Sequence, residues 1–208
     1  MCELLKTLPQ MIKLGEGNQG AIYDVGNNQV MKVTYEKINK DILYMASRSG
    51  IAPQIFGFEE CPDGRTYYIQ QKLFNMYNEK YLSQVSELVT RMFEAGLYHN
   101  DLRDDNMMAD EKGKLYLIDF DLSNKISNYG SRYFDKSVKK HSWFEHHGRD
   151  VHIEFTPSQM KRIQAMRPTI EITQGEIDSK NRVENARKLA IEQNLERQRQ
   201  AAERLRRK

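Results

Sequence analysis

The most constraining stretch of the chain is His99-Asn100-Asp101-Leu102-Arg103-Asp104-Asp105-Asn106, followed by Leu117-Ile118-Asp119-Phe120-Asp121. It sets Asp101, Asn106 and Asp119, three side chains able to handle a metal or a proton, within one short window. Met107-Met108 and Leu115-Tyr116-Leu117-Ile118 flank it as strand-like runs. The turn Glu111-Lys112-Gly113-Lys114 lies between them, so the two runs fold back as a hairpin. Asn106 and Asp119 then meet at one end of that hairpin. An amide oxygen and a carboxylate are hard ligands suited to Mg²⁺.

Upstream, Gly15-Glu16-Gly17-Asn18-Gln19-Gly20 sits between the apolar run Met11-Ile12-Lys13-Leu14 and the strand-like Ala21-Ile22-Tyr23-Asp24-Val25. Without Cβ atoms, such a turn lets backbone N–H groups approach phosphate oxygens. A dinucleotide-binding reading needs a helix to start here. Alternating sequence and the hairpin turn Gly26-Asn27-Asn28 follow instead, so the form is strand–loop–strand. Lys32 stands in the next strand, Gln29 to Val33, on the face of Val30. Residues 54–58 and 66–71 add two more strands around Cys61-Pro62-Asp63-Gly64. Residues 35–48 carry apolar positions at helical spacing before Gly50.

The pattern H-x-D-x-x-x-x-N followed by D-F resembles the catalytic and metal-binding segments of the protein-kinase superfamily. The glycine turn and Lys32 resemble that family's phosphate-covering loop and its β3 lysine. The resemblance implies an α+β, bilobal protein-kinase-like fold. Residues 1–73 would form an N-lobe with a five-stranded antiparallel sheet and one helix, residues 74–168 a reduced helical C-lobe, and residues 169–208 a charged helical tail. It implies ATP and Mg²⁺ as cofactors. Asp101 would orient the attacking hydroxyl, with Arg103 beside the transferred phosphate. Asn106 and Asp119 would hold the metal. Gly15, Gly17, Gly20, Ile22 and Lys32 would hold the nucleotide, and His99 would organise the loop. The acid that pairs with Lys32 is either Asp41, the better match by distance to Pro53, or Glu36. Gln71-Lys72-Leu73 falls at the family's hinge.

The family's A-P-E motif has no counterpart here, and Asp121 replaces the Gly of D-F-G. Asp121 and Asn100 resemble small-molecule phosphotransferases such as the aminoglycoside and choline kinases. Arg103 and the short C-terminal half favour a protein substrate over a small molecule, and the chain reads as a serine/threonine protein kinase with a minimal C-lobe, although Arg103 does not separate serine/threonine from tyrosine. The kinase subunit of the KEOPS complex and the minimal kinases of viruses and bacterial effectors are similar. A pseudokinase or partner-dependent binding module is the remaining alternative.

Residues 79–95 carry an apolar stripe through Leu82, Val85, Leu88, Val89, Met92 and Phe93, ending at Gly96. The run from Phe134 to Glu145 is compatible with helix. Thr156-Pro157 opens another helix that Pro168 stops. His141, His146 and His147 lack the spacing of a zinc site and read as exposed or packing residues. Cys2 and Cys61 define no disulfide framework and suit a reducing cytoplasm, that of a host cell if the chain is viral or an effector. The net charge of +3 carries no overall nucleic-acid signature. The basic end, Arg204-Leu205-Arg206-Arg207-Lys208, offers a surface to a protein partner or an acidic surface, with nucleic acid as a further reading. The partner expected first is a protein substrate. No apolar run is long enough to span a membrane.

Overall fold

The structure, a computed structural model, describes residues 2, 4, 11–17, 20–35, 38–120, 123–126 and 131–168. The architecture is α+β. A five-stranded antiparallel sheet runs in the order β1-β2-β3-β5-β4, with β1 Ile12–Gly17, β2 Gly20–Gly26, β3 Gln29–Thr34, β4 Ile55–Glu60 and β5 Thr66–Gln71. Gly26-Asn27-Asn28 turns β2 into β3, with all three residues at positive φ. That conformation favours glycine and asparagine.

Helix α1, Lys40–Arg48, lies between β3 and β4. It begins five residues later than periodicity suggests. The Asn39 side chain accepts from the amides of Asp41 and Ile42 and so caps the helix there. Gly50, at φ +64, lies just beyond the helix. Ile38 and Leu43 pack with Tyr68 and Ile55 on one face of the sheet. Met31, Val33, Tyr67 and Ile69 pack with Cys2 and Cys61 in a separate cluster. There the structure corrects the reading of the cysteines. Cys2 and Cys61 form a disulfide with Cα atoms 5.7 Å apart, across a sequence separation of 59 that leaves no local signal.

Helix α2, Leu82–Glu94, follows a 3₁₀ turn at Glu79–Tyr81. Val85, Leu88, Val89, Met92 and Phe93 are wholly buried, whereas Leu82 stays exposed. Each buried large apolar side chain contributes about 1.5–3 kcal/mol. The same core takes in Ile42 and Ala46 of α1 and Leu97, Tyr98, Met107, Leu115, Leu117 and Phe120. The helix beside the sheet and the polar loop are thus set on one apolar body.

Strands β6 Asn75–Met76, β8 Met107–Ala109 and β9 Leu115–Leu117 form a three-stranded sheet, and β7 Leu97–Tyr98 pairs with β10 Asn124–Lys125. The expected hairpin is present, with Met107 opposite Leu117 and Ala109 opposite Leu115. Helix α3 spans Ser131–Lys140 and α4 spans Pro157–Ala165. Thr156 and Gln159 form a capping box on α4, with Pro157 in the first turn. The helix expected to run towards Glu145 stops at Lys140. In its place β11 Trp143–His146 and β12 Arg149–His152 form a hairpin. Its turn residues His147 and Gly148 both have positive φ, as a two-residue hairpin turn of the primed kind requires. No helix among the described residues is long and apolar enough to cross a membrane. The charged tail, residues 169–208, lies outside the described residues.

His141 closes the core between α3 and the hairpin. Its ring sits against Phe93 and Tyr98, and burial pushes its pKa down to about 4. The free imidazole titrates near 6.5. Between those values the unfolded chain binds a proton that the folded chain refuses, so stability falls as pH falls through that window. Urea unfolding should show a loss of about 2 kcal/mol from this residue between pH 7 and pH 5. His141→Phe keeps the ring contacts and should flatten that slope by about one proton.

Candidate active site

Lys32 stands at the centre of the sheet, directly opposite Ile22 on β2 and Tyr68 on β5. Opposed residues share a face, so Ile22 and Lys32 look the same way. A Cβ on Gly20 would collide with the Val33 carbonyl, so β2 can approach β3 there only with glycine. A Cβ on Gly15 or Gly17 would meet open space. Their lack of side chains leaves that backbone accessible rather than serving packing. Asn18 and Gln19, at the tip of the turn, lie outside the described residues.

The Lys32 ammonium lies 2.9 Å from Asp119 Oδ1, with 15% and 30% of the two side chains exposed. Asp119 has φ +64, a conformation that costs a non-glycine residue about 1 kcal/mol or more. The chain turns sharply after β9, and its carboxylate reaches the sheet. The pair joins two segments 87 residues apart.

The loop beneath is held from inside. His99 is fully buried. Its Nε2 lies 2.8 Å from the Ile118 carbonyl and its Nδ1 3.0 Å from the Asp101 carbonyl. Burial drives the imidazole pKa down against the raising effect of those carbonyls. The Phe120 ring stands edge-on to it, with centroids 4.9 Å apart. Asn106 ends the 3₁₀ turn Asp104–Asn106. Its Nδ2 donates to the Asp101 carbonyl at 2.9 Å and to Asp101 Oδ2 at 2.8 Å. With the amide nitrogen committed, Oδ1 is the atom left to meet a cation. The Ile118 amide donates to the Asn106 carbonyl at 2.9 Å, which brings the two metal candidates to one end of the hairpin. Arg103 Nε lies 3.7 Å from Asp101 Oδ2, and its Nη2 lies 3.5 Å from Asp105.

The structure therefore gathers Lys32, Asp101, Arg103, Asn106 and Asp119 around one cleft, with Ile22 on the sheet face above. Asp41 does not join them. Its carboxylate is 78% exposed and lies 3.7 Å from Lys125. The Asn39 cap sets Asp41 in the first turn of α1, where it faces solvent rather than the sheet. The alternative, Glu36, and the D-F-G replacement Asp121 lie outside the described residues. At the expected hinge, the Lys72 amide donates to the Asn28 carbonyl, and its ammonium pairs with Asp24. That pairing holds the Asp24 carboxyl below its usual range.

Sequence reasoning missed Asp104 and the histidines that reach it. The Asp104 carboxylate accepts from His146 Nδ1 at 2.7 Å and from the His147 amide at 3.0 Å. Burial pushes its pKa up, but these donors and the Asp105 amide outweigh that and hold it low. His146 and His147 also line a cleft of about 380 Å³ with Asn78, Glu79 and Lys80. The His-His-Gly turn between two aromatic-rich runs was the available signal.

A glycine turn beside a lysine-bearing strand, and a loop that carries Asp101, Asn106 and Asp119, are the arrangement of the protein-kinase-like superfamily. Residues 60–166, just over half of the chain, match the Lipopolysaccharide kinase (Kdo/WaaP) family, and the chain belongs to it. It is also similar to the serine/threonine-protein kinase PKH3 of Eremothecium gossypii, 27% identical over 109 residues. That alignment covers 46% of this chain and 15% of the relative. The hormonally up-regulated neu tumor-associated kinases of Mus musculus and Homo sapiens are 35% identical over 69 residues, 32% of this chain and 10% of theirs. The chain thus spans a small fraction of these curated relatives.

The donor set fits a nucleotide with a hard cation. Lys32→Met should abolish the thermal stabilisation given by ATP with Mg²⁺, and Asp41→Ala should leave it intact. For the wild type that stabilisation is about 2.7 kcal/mol at a hundredfold excess over Kd. A thermal-shift titration of the three proteins reads the difference.

Proposed function

We propose that the chain is an ATP- and Mg²⁺-dependent kinase that phosphorylates serine or threonine hydroxyls of proteins. The observation that carries this reading is the convergence of Lys32 on Asp119 above the Asp101–Asn106 bond. In this reading residues 1–73 are a nucleotide-binding lobe and residues 74–168 a lobe that presents the acceptor. Lys32 binds the α and β phosphates. Asn106 Oδ1 and Asp119 hold Mg²⁺, which when bound neutralises charge on the transferring phosphoryl group. Asp101 accepts the acceptor hydroxyl's proton at a carboxylate oxygen, and Asn106 Nδ2 fixes that carboxylate's direction. Arg103 sits close enough to meet the transferred phosphate's charge. Asp105 is exposed and the Asp101 and Arg103 side chains are partly so, which suits an acceptor hydroxyl carried on a large partner.

A second reading, transfer to a sugar hydroxyl, is favoured by the family match, since that family is described by lipopolysaccharide kinase activity. Both readings use the same donor chemistry and differ in the acceptor. Incubation with γ-labelled ATP and Mg²⁺, with either a generic protein or lipopolysaccharide, separates them. The expected result is labelled protein, with Asp101→Asn slower by about a hundredfold or more. Label in lipopolysaccharide alone would move the assignment to the sugar acceptor. Undiminished transfer by Asp101→Asn would overturn the role given to that carboxylate.

A further inference from the structure

The loop that carries Asp101 is also gripped from outside, by a segment that begins at Lys140. Lys140 Nζ donates to the Asn100 carbonyl at 2.8 Å. The Glu145 amide donates to the Leu102 carbonyl at 3.2 Å, and Arg103 and Glu145 form a parallel bridge. His146 and the His147 amide then take the Asp104 carboxylate. The end of α3 meets the loop at Asn100, and the hairpin β11–β12 follows it from Leu102 to Asp104.

These attachments are not equivalent. Arg103–Asp101 and Arg103–Asp105 are long and exposed, and such pairs contribute little. The His146–Asp104 bond is short, with only 14% and 13% of the side chains exposed. The His146 ring stands edge-on to Tyr77 at 5.1 Å and tilted against Phe144, itself a core residue. An imidazole packed in this way has little freedom to swing, so it fixes the carboxylate it meets. Asp104 opens the 3₁₀ turn whose last residue, Asn106, donates to both the carbonyl and the carboxylate of Asp101. A continuous path therefore runs from the core through Tyr77 and Phe144 to His146, Asp104, the turn, Asn106 and Asp101.

Resting on the kinase reading above, we propose that His146 is a positioning residue for phosphoryl transfer. It acts through Asp104 to hold the turn that aims Asp101 at the acceptor. Lys32, Asp119 and the glycine turn have their own supports, so of the groups assigned to the nucleotide and its metal only Asn106 lies on this path, and its main-chain carbonyl is held separately by the Ile118 amide. A displaced general base loses transfer rate without loss of donor affinity.

The test uses the full chain with His146→Ala and His146→Asn, the second placing an amide donor near the position of Nδ1. His146→Ala should lower kcat roughly tenfold to a hundredfold and leave KM for ATP within about twofold. His146→Asn should recover most of the rate. Amide hydrogen exchange at Asp105 and Asn106 is read in the same proteins without nucleotide or acceptor. It should quicken in His146→Ala and return in His146→Asn. The exchange measurement needs no turnover, so absence of transfer by the wild type would sink the kinase reading without deciding this one. Unchanged exchange in His146→Ala would overturn the positioning role. So would a matching fall in kcat and rise in KM for ATP that His146→Asn fails to restore.

Discussion

A buried imidazole governs the geometry of this molecule. His99 lies between the carbonyls of Asp101 and Ile118, one on each arm of the loop that carries the polar cluster. Neither carbonyl belongs to a strand, and each would be costly to bury without a partner. A neutral imidazole donates from one nitrogen only, and the Asp101 carbonyl also accepts from Asn106 Nδ2, while the ring fills space against Phe120. The loop can therefore descend into an apolar body and still present Asp101 and Asp119 outward, with Asn106 buried beneath them. Burial lowers the His99 pKa, which disfavours a positive charge on the ring beside Asp101 and Asp119.

The ion pair above depends on that arrangement. Asp119 reaches Lys32 only because the chain leaves β9 through a left-handed residue, and the neighbouring Ile118 is tied to both His99 and Asn106. A pair this shielded from water loses hydration as it gains Coulomb energy, so it adds little stability by itself. Its value lies in placing a cation and an anion where phosphate and metal would meet each of them. The shared apolar core of α1, α2 and the loop strands makes that placement reproducible, since it sets the sheet's helix and the loop on one packed body.

Much of this was legible in the chain because the relevant signals are short in range. The glycine turn, Lys32, the five strands, the apolar stripe of α2 and the Met107–Leu117 hairpin each follow from residues close together in sequence. The signals that failed are of two kinds. Asp41 satisfied a spacing, but the Asn39 cap displaced the start of α1 and turned that carboxylate to solvent beside Lys125. The β11–β12 hairpin was hidden because Trp143-Phe144-Glu145-His146 follows a true helix without a breaker, and because a histidine occupies a turn position usually given to asparagine or glycine. The disulfide between Cys2 and Cys61 is a contact across 59 residues that no local pattern encodes.

The hairpin also bears on the division of labour within the chain. In a phosphotransferase the donor half must bind a nucleotide whose shape is fixed, whereas the acceptor half must meet whatever hydroxyl its substrate offers. Here the donor groups lie on a regular sheet and on a turn locked by buried polar contacts. In the proposed reading the acceptor-facing side is built from Arg103, its neighbouring carboxylates and a two-stranded hairpin whose strands are largely solvent-facing. Few apolar contacts constrain such a surface, so its side chains can change without disturbing the core. The hairpin remains useful only while its inner edge stays fastened to the loop. That requirement explains why its one fully buried aromatic residue, Phe144, and its shielded imidazole, His146, both face the same inner side. A surface free to vary is thereby joined to a loop that is held from the core.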